Sequence, residues 1–315
     1  MRAIQKEERK SETGTIQKKR RKTSLEDKIM DTINFVAMIL IIFLTVYPFY
    51  YIIIHSFNNG VDSSLGGMYF YPRRPTIENF KTLLADTSWA NAIFISVART
   101  VVGTMLGLLA TSAVAYAISF ENILFRNVYY KLYIFTMYFS GGMIPFYILL
   151  KSIGILNTFW VYVIPGMLNV YYMLIMVNFF HDIPKSLYES AWLDGAGDIR
   201  VFLQIALPLS KACLATIALF YAITQWNSWI DSVYYVTKES LRPMSYLMME
   251  IINKSATAST VTNAQSMGYA ASALQTTTTS LQMASMVLAV APILAVYPFL
   301  QKYFVKGVMI GSVKG

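Results

Sequence analysis

The fold class follows from the stretch Ile33 to Ile54, INFVAMILIIFLTVYPFYYIII, which contains 22 residues and no charged side chain. As an α-helix this stretch would be about 33 Å long, at about 1.5 Å per residue. That length is sufficient to cross a hydrocarbon core of about 30 Å. The stretch is longer than the apolar part of a secretory signal peptide, and no cleavage pattern of small residues follows it. We therefore expect it to remain in the protein as a membrane anchor.

The composition of the whole chain also indicates a membrane protein. Hydrophobic residues make up 56% of the sequence and charged residues 14%, whereas a soluble domain carries about 25% charged residues. Five further apolar stretches are candidate spans: Trp89 to Phe120, Val128 to Leu150, Phe159 to Phe180, Ala212 to Ile230 and Met283 to Phe304. The sequence therefore predicts an all-α membrane protein with six transmembrane helices. Gly141 and Gly142 in the third stretch, and Gly166 in the fourth, permit either a kink or close helix packing.

The basic residues predict the orientation of the chain. With the amino terminus inside, 18 Lys and Arg residues fall on the cytoplasmic side and seven outside, and such an excess marks cytoplasmic segments. We therefore expect both termini in the cytoplasm, with residues 1–28 as a basic tail and residues 29–315 as the membrane domain. A basic run directly before a span is more typical of an orientation signal on anionic lipid than of a nucleic-acid arm. Its expected partner is membrane lipid, and we expect no nucleic acid.

A polar loop at about residues 181–211 separates the fourth and fifth stretches. It contains Glu189-Ser190-Ala191-Trp192-Leu193-Asp194-Gly195-Ala196-Gly197, followed by Ile205 and Leu207-Pro208. Pro184 can start a short helix, the glycines allow the backbone to reverse, and Pro208 marks a turn into the bilayer. Such a loop can insert as a rigid knob into a groove on a soluble protein. An ordinary amphipathic connector between spans is the alternative interpretation.

This string resembles the EAA loop of binding-protein-dependent ABC importers, with Ser190 in place of an Ala. A second resemblance lies at the carboxyl end, where Gln301 to Gly307 and Gly311 to Gly315 are similar to the tail of a maltose-type permease subunit. From about residue 30 onward, the chain resembles a carbohydrate-uptake permease subunit of that type. The resemblance implies the type I ABC importer permease fold. It also implies import of a carbohydrate, an oligosaccharide or a polysaccharide fragment, by binding-protein-dependent transport.

The same resemblance implies sites and partners. The loop would couple the permease to a separate ATPase through Glu189, Ser190, Ala191, Asp194, Gly195, Ala196, Gly197, Leu207 and Pro208. The tail, at about residues 302–315, would reach the ATPase through Gly311, Val313, Lys314 and Gly315. The implied partners are a second related permease, an ABC ATPase dimer and an extracellular solute-binding lipoprotein, at a bacterial plasma membrane. ATP and Mg²⁺ would be bound by the ATPase, so we expect no cofactor on this chain.

The sequence lacks the patterns of an enzyme. It contains no Walker phosphate loop, no Ser/His/Asp set and no metal-ligand spacing, so we expect neither a catalytic nor a metal site. Cys213 is the only cysteine, which excludes an internal disulfide. The alternative function is a membrane-embedded sensor or scaffold that uses the same loop to bind a cytoplasmic partner. A secondary transporter is less favoured, because apart from Arg99 the predicted spans are almost free of charge.

A possible substrate path lies in the fifth stretch, at Trp226, Asn227, Trp229 and Asp231. Spacings of three and four residues would place the two tryptophans on one helix face and the two polar residues on another. Indole faces can stack on sugar rings, while amides and carboxylates can bind hydroxyl groups. The competing interpretation is an aromatic belt at the membrane interface. Arg99 is a separate feature, since a charge within a span normally faces the bundle interior and has a partner.

Overall fold

The computed structural model describes residues 25–260 and 276–312, which are helical throughout their regular structure and contain no β-strand. The first nine helices are α1 (Leu25–Ser56), α2 (Gly60–Ser64), α3 (Glu78–Ala85), α4 (Thr87–Ser119), α5 (Arg126–Tyr138), α6 (Met143–Ser152), α7 (Val170–His181), α8 (Lys185–Leu193) and α9 (Asp198–Val201). The others are α10 (Leu207–Leu209), α11 (Lys211–Asn227), α12 (Ile230–Tyr235), α13 (Met244–Thr260) and α14 (Thr278–Ser312). Shorter pieces are 3₁₀ turns at Phe159–Tyr162, Ile164–Gly166 and Glu239–Leu241, and a π-helical turn at Phe202–Ala206.

The chain divides into two compact units, Met1–Tyr50 and Tyr51–Gly315. In the first unit, the described residues form the continuous helix from Leu25 onward, and nearly all of their side chains are exposed. An apolar helix with exposed side chains all round is typical of a membrane span. The second unit holds the packed helices described below.

The predicted membrane spans correspond to three long helices and three bent pairs. Among the described residues, α1, α4 and the Thr278–Val296 part of α14 are long and apolar enough to cross a bilayer. The bent pairs are Arg126–Tyr138 with Met143–Ser152, Phe159–Gly166 with Val170–His181, and Asp198–Leu209 with Lys211–Asn227. Counting each bent pair as one span gives six, and the all-helical membrane fold predicted from the sequence is confirmed.

Helix α4 is the central element of the second unit, since both α7 and α11 pack along it. Close approach is possible because Gly107 faces Tyr221 of α11, where an added Cβ would lie 2.7 Å from the ring. The Tyr221 hydroxyl and Thr111 Oγ1 are 2.6 Å apart. The Asn169 amide also donates to the Tyr221 hydroxyl, at 3.1 Å. This buried tyrosine therefore joins α4, α11 and the start of α7.

Buried amide and hydroxyl groups fix the segment after α1. The Asn79 amide nitrogen donates to the carbonyl oxygens of Ser56 and Asn58, at 2.9 and 2.8 Å. The Ser280 hydroxyl donates to the Asn79 side-chain oxygen at 2.8 Å. Each of these side chains is almost completely buried, and their polar groups are satisfied as buried groups must be. The network holds α3 and the start of α14 against the end of α1.

The third predicted span is not one helix. The chain bends by 116° between α5 and α6. Gly142, at the junction, has φ of +87°, in a region that is open mainly to glycine. Nothing lies within 4 Å of a Cβ added at Gly141 or Gly142. Of the two roles that the sequence left open for these glycines, the kink is present at Gly142, and no helix among the described residues packs closely against either glycine.

Candidate functional site

The first helix of the polar loop, α8, ends in a tight reversal. Beyond Leu193, the amide of Gly195 donates to the Trp192 carbonyl at 3.0 Å, and the amide of Ala196 donates to the Ala191 carbonyl at 2.9 Å. These two bonds form a Schellman motif, which requires a residue in the left-handed region. Gly195 occupies that region with φ of +80°. The reversal predicted at this glycine is present, and the backbone of Ala191 and Ala196 closes it.

Side chains tie the two helices of the loop together. The Trp192 indole nitrogen donates to the Asp198 carboxylate at 3.1 Å, across the reversal from α8 to α9. Asp194 caps the carboxyl end of α8, and Gly197 precedes the first turn of α9. The Ser190 hydroxyl donates back to the Ser186 carbonyl at 2.8 Å. The loop is thus a defined helix pair and not an irregular connector.

Tyr188 anchors this helix pair to the membrane helices. Its side chain is buried, and its ring lies 5.5 Å from the Phe120 ring and 6.2 Å from the Tyr116 ring. Burial raises the pKa of Tyr188 to about 12, so the hydroxyl stays neutral at physiological pH. Tyr188 is not among the residues predicted from the sequence. The sequence feature that points to it is the pair of aromatic residues four apart, Tyr188 and Trp192, which lie on the same side of a helix.

A second, weaker connection lies at the start of α8. Lys185 Nζ and His181 Nε2 lie 3.3 and 3.5 Å from the Glu121 carboxylate, which follows α4. The hydrogen bond from Lys185 and that from His181 lower the pKa of Glu121 from its ordinary value. All three side chains are about half exposed or more, so solvent and salt screen the attraction. The buried aromatic contacts therefore contribute more to fixing the loop.

The loop returns to the membrane helices through a π-helical turn and a bend near Pro208. A π-helical turn occupies Phe202–Ala206, and the Leu207 amide donates to the Phe202 carbonyl. Proline has no amide hydrogen and cannot continue the regular α-helical bonding, which accounts for a widened turn just before it. The segment Asp198–Leu209 then meets α11 at 86°. The turn predicted at Pro208 is therefore present.

The outer face of the helix pair presents apolar side chains. Leu193 is 89% exposed and Ile199 is 77% exposed, and Glu189 is exposed on the same helix as Leu193. Large aliphatic side chains with this exposure, rimmed by polar residues, mark an interaction surface. Leu193 and Ile199 were not singled out from the sequence. Their signal is that they are aliphatic residues beside the glycine reversal, where no bundle contact is available.

Arg99 of α4 lies in a buried polar network with a complete set of acceptors. Its side chain is 1% exposed and forms an ion pair with Asp231 of α12. The guanidinium also donates to the Gln225 side-chain oxygen and to the Ser228 carbonyl, both at 3.1 Å. It lies 4.3 Å from the centre of the Tyr162 ring, at cation–π distance. The predicted interior partner of Arg99 is thus identified as Asp231.

The predicted substrate-path residues do not share helix faces, and that part of the sequence interpretation is wrong. Helix α11 ends at Asn227, Ser228 is extended, and α12 begins after Trp229. The break frees the Ser228 carbonyl, which accepts from both Arg99 and Ser245. The Trp226 indole nitrogen donates to the Ala289 carbonyl of α14 at 3.0 Å. The Asp231 carboxylate is paired with Arg99, and the Asn227 side chain is exposed.

The predicted tail contacts are only partly described by the structure. Gly311 falls in the last turn of α14, whereas Val313, Lys314 and Gly315 lie outside the described residues. Most of the predicted basic tail, residues 1–28, also lies outside them. Among the residues that are described, no group of three or more His, Cys, Asp or Glu side chains is placed to hold a metal ion.

Comparison with known proteins gives consistent matches along most of the chain. Residues 99–310 match the family of binding-protein-dependent transport system inner membrane components. Protein LplC of Bacillus subtilis (strain 168) is 37% identical over 91% of this chain and 96% of its own length. The polygalacturonan/rhamnogalacturonan transport system permease protein YtcP of the same organism is 33% identical over 92% of this chain and 100% of its own length.

A solved structure is also similar. It is the crystal structure of a bacterial ABC transporter involved in the import of the acidic polysaccharide alginate. One of its chains matches 89% of this chain with a TM-score of 0.80 and 28% sequence identity, and the match covers 98% of that chain.

Proposed function

The chain belongs to the family of binding-protein-dependent transport system inner membrane components, and from that premise we propose that it forms half of the translocation pathway of an ATP-driven importer for oligosaccharides or polysaccharide fragments. Members of this family are membrane permease subunits and not enzymes, and the ATPase is a separate chain. The observation that carries the proposal is the rigid helix pair α8–α9, with exposed Leu193 and Ile199 at its tip. The family membership favours an importer over a membrane-embedded sensor or scaffold.

The proposed assembly has four kinds of component. A second related permease completes the pathway, an ABC ATPase dimer binds ATP and Mg²⁺, and an extracellular lipoprotein delivers the solute. This chain would lie in the plasma membrane of a bacterium, surrounded by lipid, and would hold no cofactor itself. Two of the similar proteins support a carbohydrate substrate. One is a polygalacturonan/rhamnogalacturonan transport system permease protein, and the other is part of a transporter involved in the import of alginate.

The loop would transmit ATPase closure to the membrane helices as a rigid body. Leu193 and Ile199 would enter an apolar groove on the ATPase, and Glu189 would pair with a basic side chain there. Burial of the two aliphatic side chains would contribute favourable hydrophobic free energy to docking. Buried Tyr188 and the Trp192–Asp198 hydrogen bond would hold the two helices in a fixed relative orientation. The tail at about residues 302–315, with Gly311, Val313, Lys314 and Gly315, would add a second contact.

Charged substitutions at the tip test this docking surface. Leu193→Asp and Ile199→Asp should each weaken copurification of the ATPase about tenfold or more, because a carboxylate would be buried in the groove. The matched control is Leu65→Asp, since Leu65 is 79% exposed but follows α2 and is not part of the 181–211 loop. The measurement is the ratio of ATPase to folded permease after affinity purification. An unchanged ratio for both tip variants would contradict the assignment of this surface.

A panel of labelled oligosaccharides tests the substrate. Galacturonate oligomers, alginate oligomers and neutral maltotriose should be offered to the complete complex with its loaded binding protein. Accumulation of at least one of these sugars supports carbohydrate import. If amino acids or peptides accumulate and no sugar does, the substrate class is wrong although the permease assignment stands.

A further inference from the structure

The break between α5 and α6 leaves peptide groups without partners. The amides of Ser140 and Gly141 donate to no described residue, and the Gly142 amide reaches only the Ser140 hydroxyl, at 3.3 Å. These three residues are exposed. Helix α6 also begins without a side-chain cap. The junction thus presents several unsatisfied hydrogen-bonding groups at one place on the surface.

The depth of this break restricts what can cover it. Helix α5 begins beside the end of α4, where Arg126 Nε donates to the Ile118 carbonyl at 2.9 Å. The 13 residues of α5 then rise about 20 Å at about 1.5 Å per residue. A helix of that rise, started at the membrane surface, ends inside a hydrocarbon core of about 30 Å. Lipid cannot satisfy peptide groups, and irregular backbone at this depth occurs only where it is covered by protein or borders a water-filled passage.

A cavity of about 490 Å³ lies beside the break. The residues that line it are Ser140, Gly141, Gly142, Met143, Pro145, Phe146, Leu149 and Tyr235. Its volume is within the range of small-molecule sites, about 300–1,000 Å³. No charged side chain is among the residues that line it. The cavity therefore combines ring faces with uncharged donors and acceptors.

Tyr235 is held in a fixed position at the end of α12. Its carbonyl accepts from the Asn157 amide at 3.1 Å, and the Asn157 side-chain oxygen accepts from the Thr237 hydroxyl at 2.9 Å. The Phe146 ring meets the Tyr235 ring edge to face, with centres 5.9 Å apart. An aromatic side chain supported in this way can offer a ring face at little conformational cost.

We propose that this cavity is a sugar-contact site of the translocation pathway, where Tyr235 stacks on one ring of the solute and the open peptide groups at Ser140 and Gly141 bind its hydroxyl groups. This inference rests on the proposed importer function. The contact is to an uncharged part of the sugar, because the cavity offers no cation to a carboxylate. It differs from the path predicted at Trp226, Asn227, Trp229 and Asp231, because none of those four residues lines the cavity.

Cysteine labelling tests whether water reaches the break. Ser140→Cys, in the assembled complex, should react with a charged, membrane-impermeant thiosulfonate reagent. Native Cys213 is 3% exposed and is the only cysteine of the chain, so the unmodified permease supplies the background. The rate should fall at least about twofold when the transported sugar and its binding protein are present. Absence of labelling in a folded, active complex would overturn the proposal.

Substitution of the ring tests the sugar contact. Tyr235→Ala should lower uptake per folded complex about fivefold at limiting sugar concentration, through loss of a stacking face. Tyr235→Phe keeps the ring and should lose less. The matched control is Tyr234→Ala, since Tyr234 is 48% exposed and does not line the cavity, and its uptake should equal that of the native complex.

The outcomes separate this proposal from the function on which it rests. If Tyr235→Ala instead lowers the yield of the partner permease in the purified complex, that chain covers the break and the sugar-contact assignment is wrong. Equal uptake for Tyr235→Ala and the native complex would also overturn it. Failure of the native complex to accumulate any sugar of the panel would overturn the proposed carbohydrate function itself.

Discussion

Replacing Gly195 with proline is expected to abolish solute uptake while the permease still inserts and assembles its membrane helices. Proline fixes φ near −65°, whereas Gly195 has φ of +80°. The substitution also removes the amide that donates to the Trp192 carbonyl. Helix α9 would then be free to reorient relative to the carboxyl end of α8, because the Schellman closure cannot form. Closure of the ATPase would no longer be transmitted to the bundle.

The neighbouring glycine provides a matched control for this change. Gly197 has φ of −77°, and nothing lies within 4 Å of a Cβ added there, so Gly197→Ala should retain uptake within about twofold of the native complex. Uptake and permease content should be measured in the same membranes. Uptake near the native level in Gly195→Pro, at equal permease content, would show that the reversal has no role in coupling. Glu189→Lys tests charge at the same surface without altering the backbone.

Replacing Asp231 with alanine is expected to destabilise the folded permease by about 3 kcal/mol, the lower end of the range for breaking a buried ion pair. The cost arises because Arg99, at 1% exposure, would keep its charge without its carboxylate partner. The lower end applies since the Asp231 side chain retains 21% exposure. Thermal unfolding of the purified complex in detergent is the measurement, and transport should fall only in proportion to the folded fraction.

Two variants distinguish the ion pair from a general effect of substitution. Glu78→Gln breaks the pair with Lys81, whose side chain is 60% exposed, and should cost less than about 1 kcal/mol. The double change Arg99→Met with Asp231→Leu removes both charges and should recover most of the loss, since the uncompensated charge is gone. A single Asp231→Ala variant as stable as Glu78→Gln would contradict the assigned role of the pair.

Local sequence patterns were sufficient for the features that depend on short segments. The apolar stretch Ile33 to Ile54 identified the first span. The glycine and proline positions of the 181–211 loop identified the backbone reversal within the loop and the turn back towards the membrane helices. These features follow from backbone preferences within a few residues. Gly195 occupies the left-handed region in which glycine is favoured, and Pro208 lacks the amide that a regular helix needs.

Features that depend on distant residues were not accessible in the same way. Arg99 and Asp231 are 132 positions apart, so the sequence indicated that the arginine needs a partner but not which one. The helix break at Ser228 was missed because no proline or glycine marks it. Its cause is tertiary, since the freed Ser228 carbonyl accepts from Arg99 and Ser245. Because a continuous helix was assumed there, Trp226 was wrongly placed on one face with Trp229, and Asn227 on one face with Asp231.

The measurement that tests the account most directly is transport by the complete complex in sealed proteoliposomes. This chain, its partner permease and the ATPase would be reconstituted, with loaded binding protein outside and ATP inside. We predict that a labelled oligosaccharide of the panel accumulates above its external concentration, and that accumulation requires both ATP and the binding protein. If ATP is hydrolysed in response to the loaded binding protein but no solute enters, the chain acts as a sensor or scaffold and the assignment as a permease is contradicted.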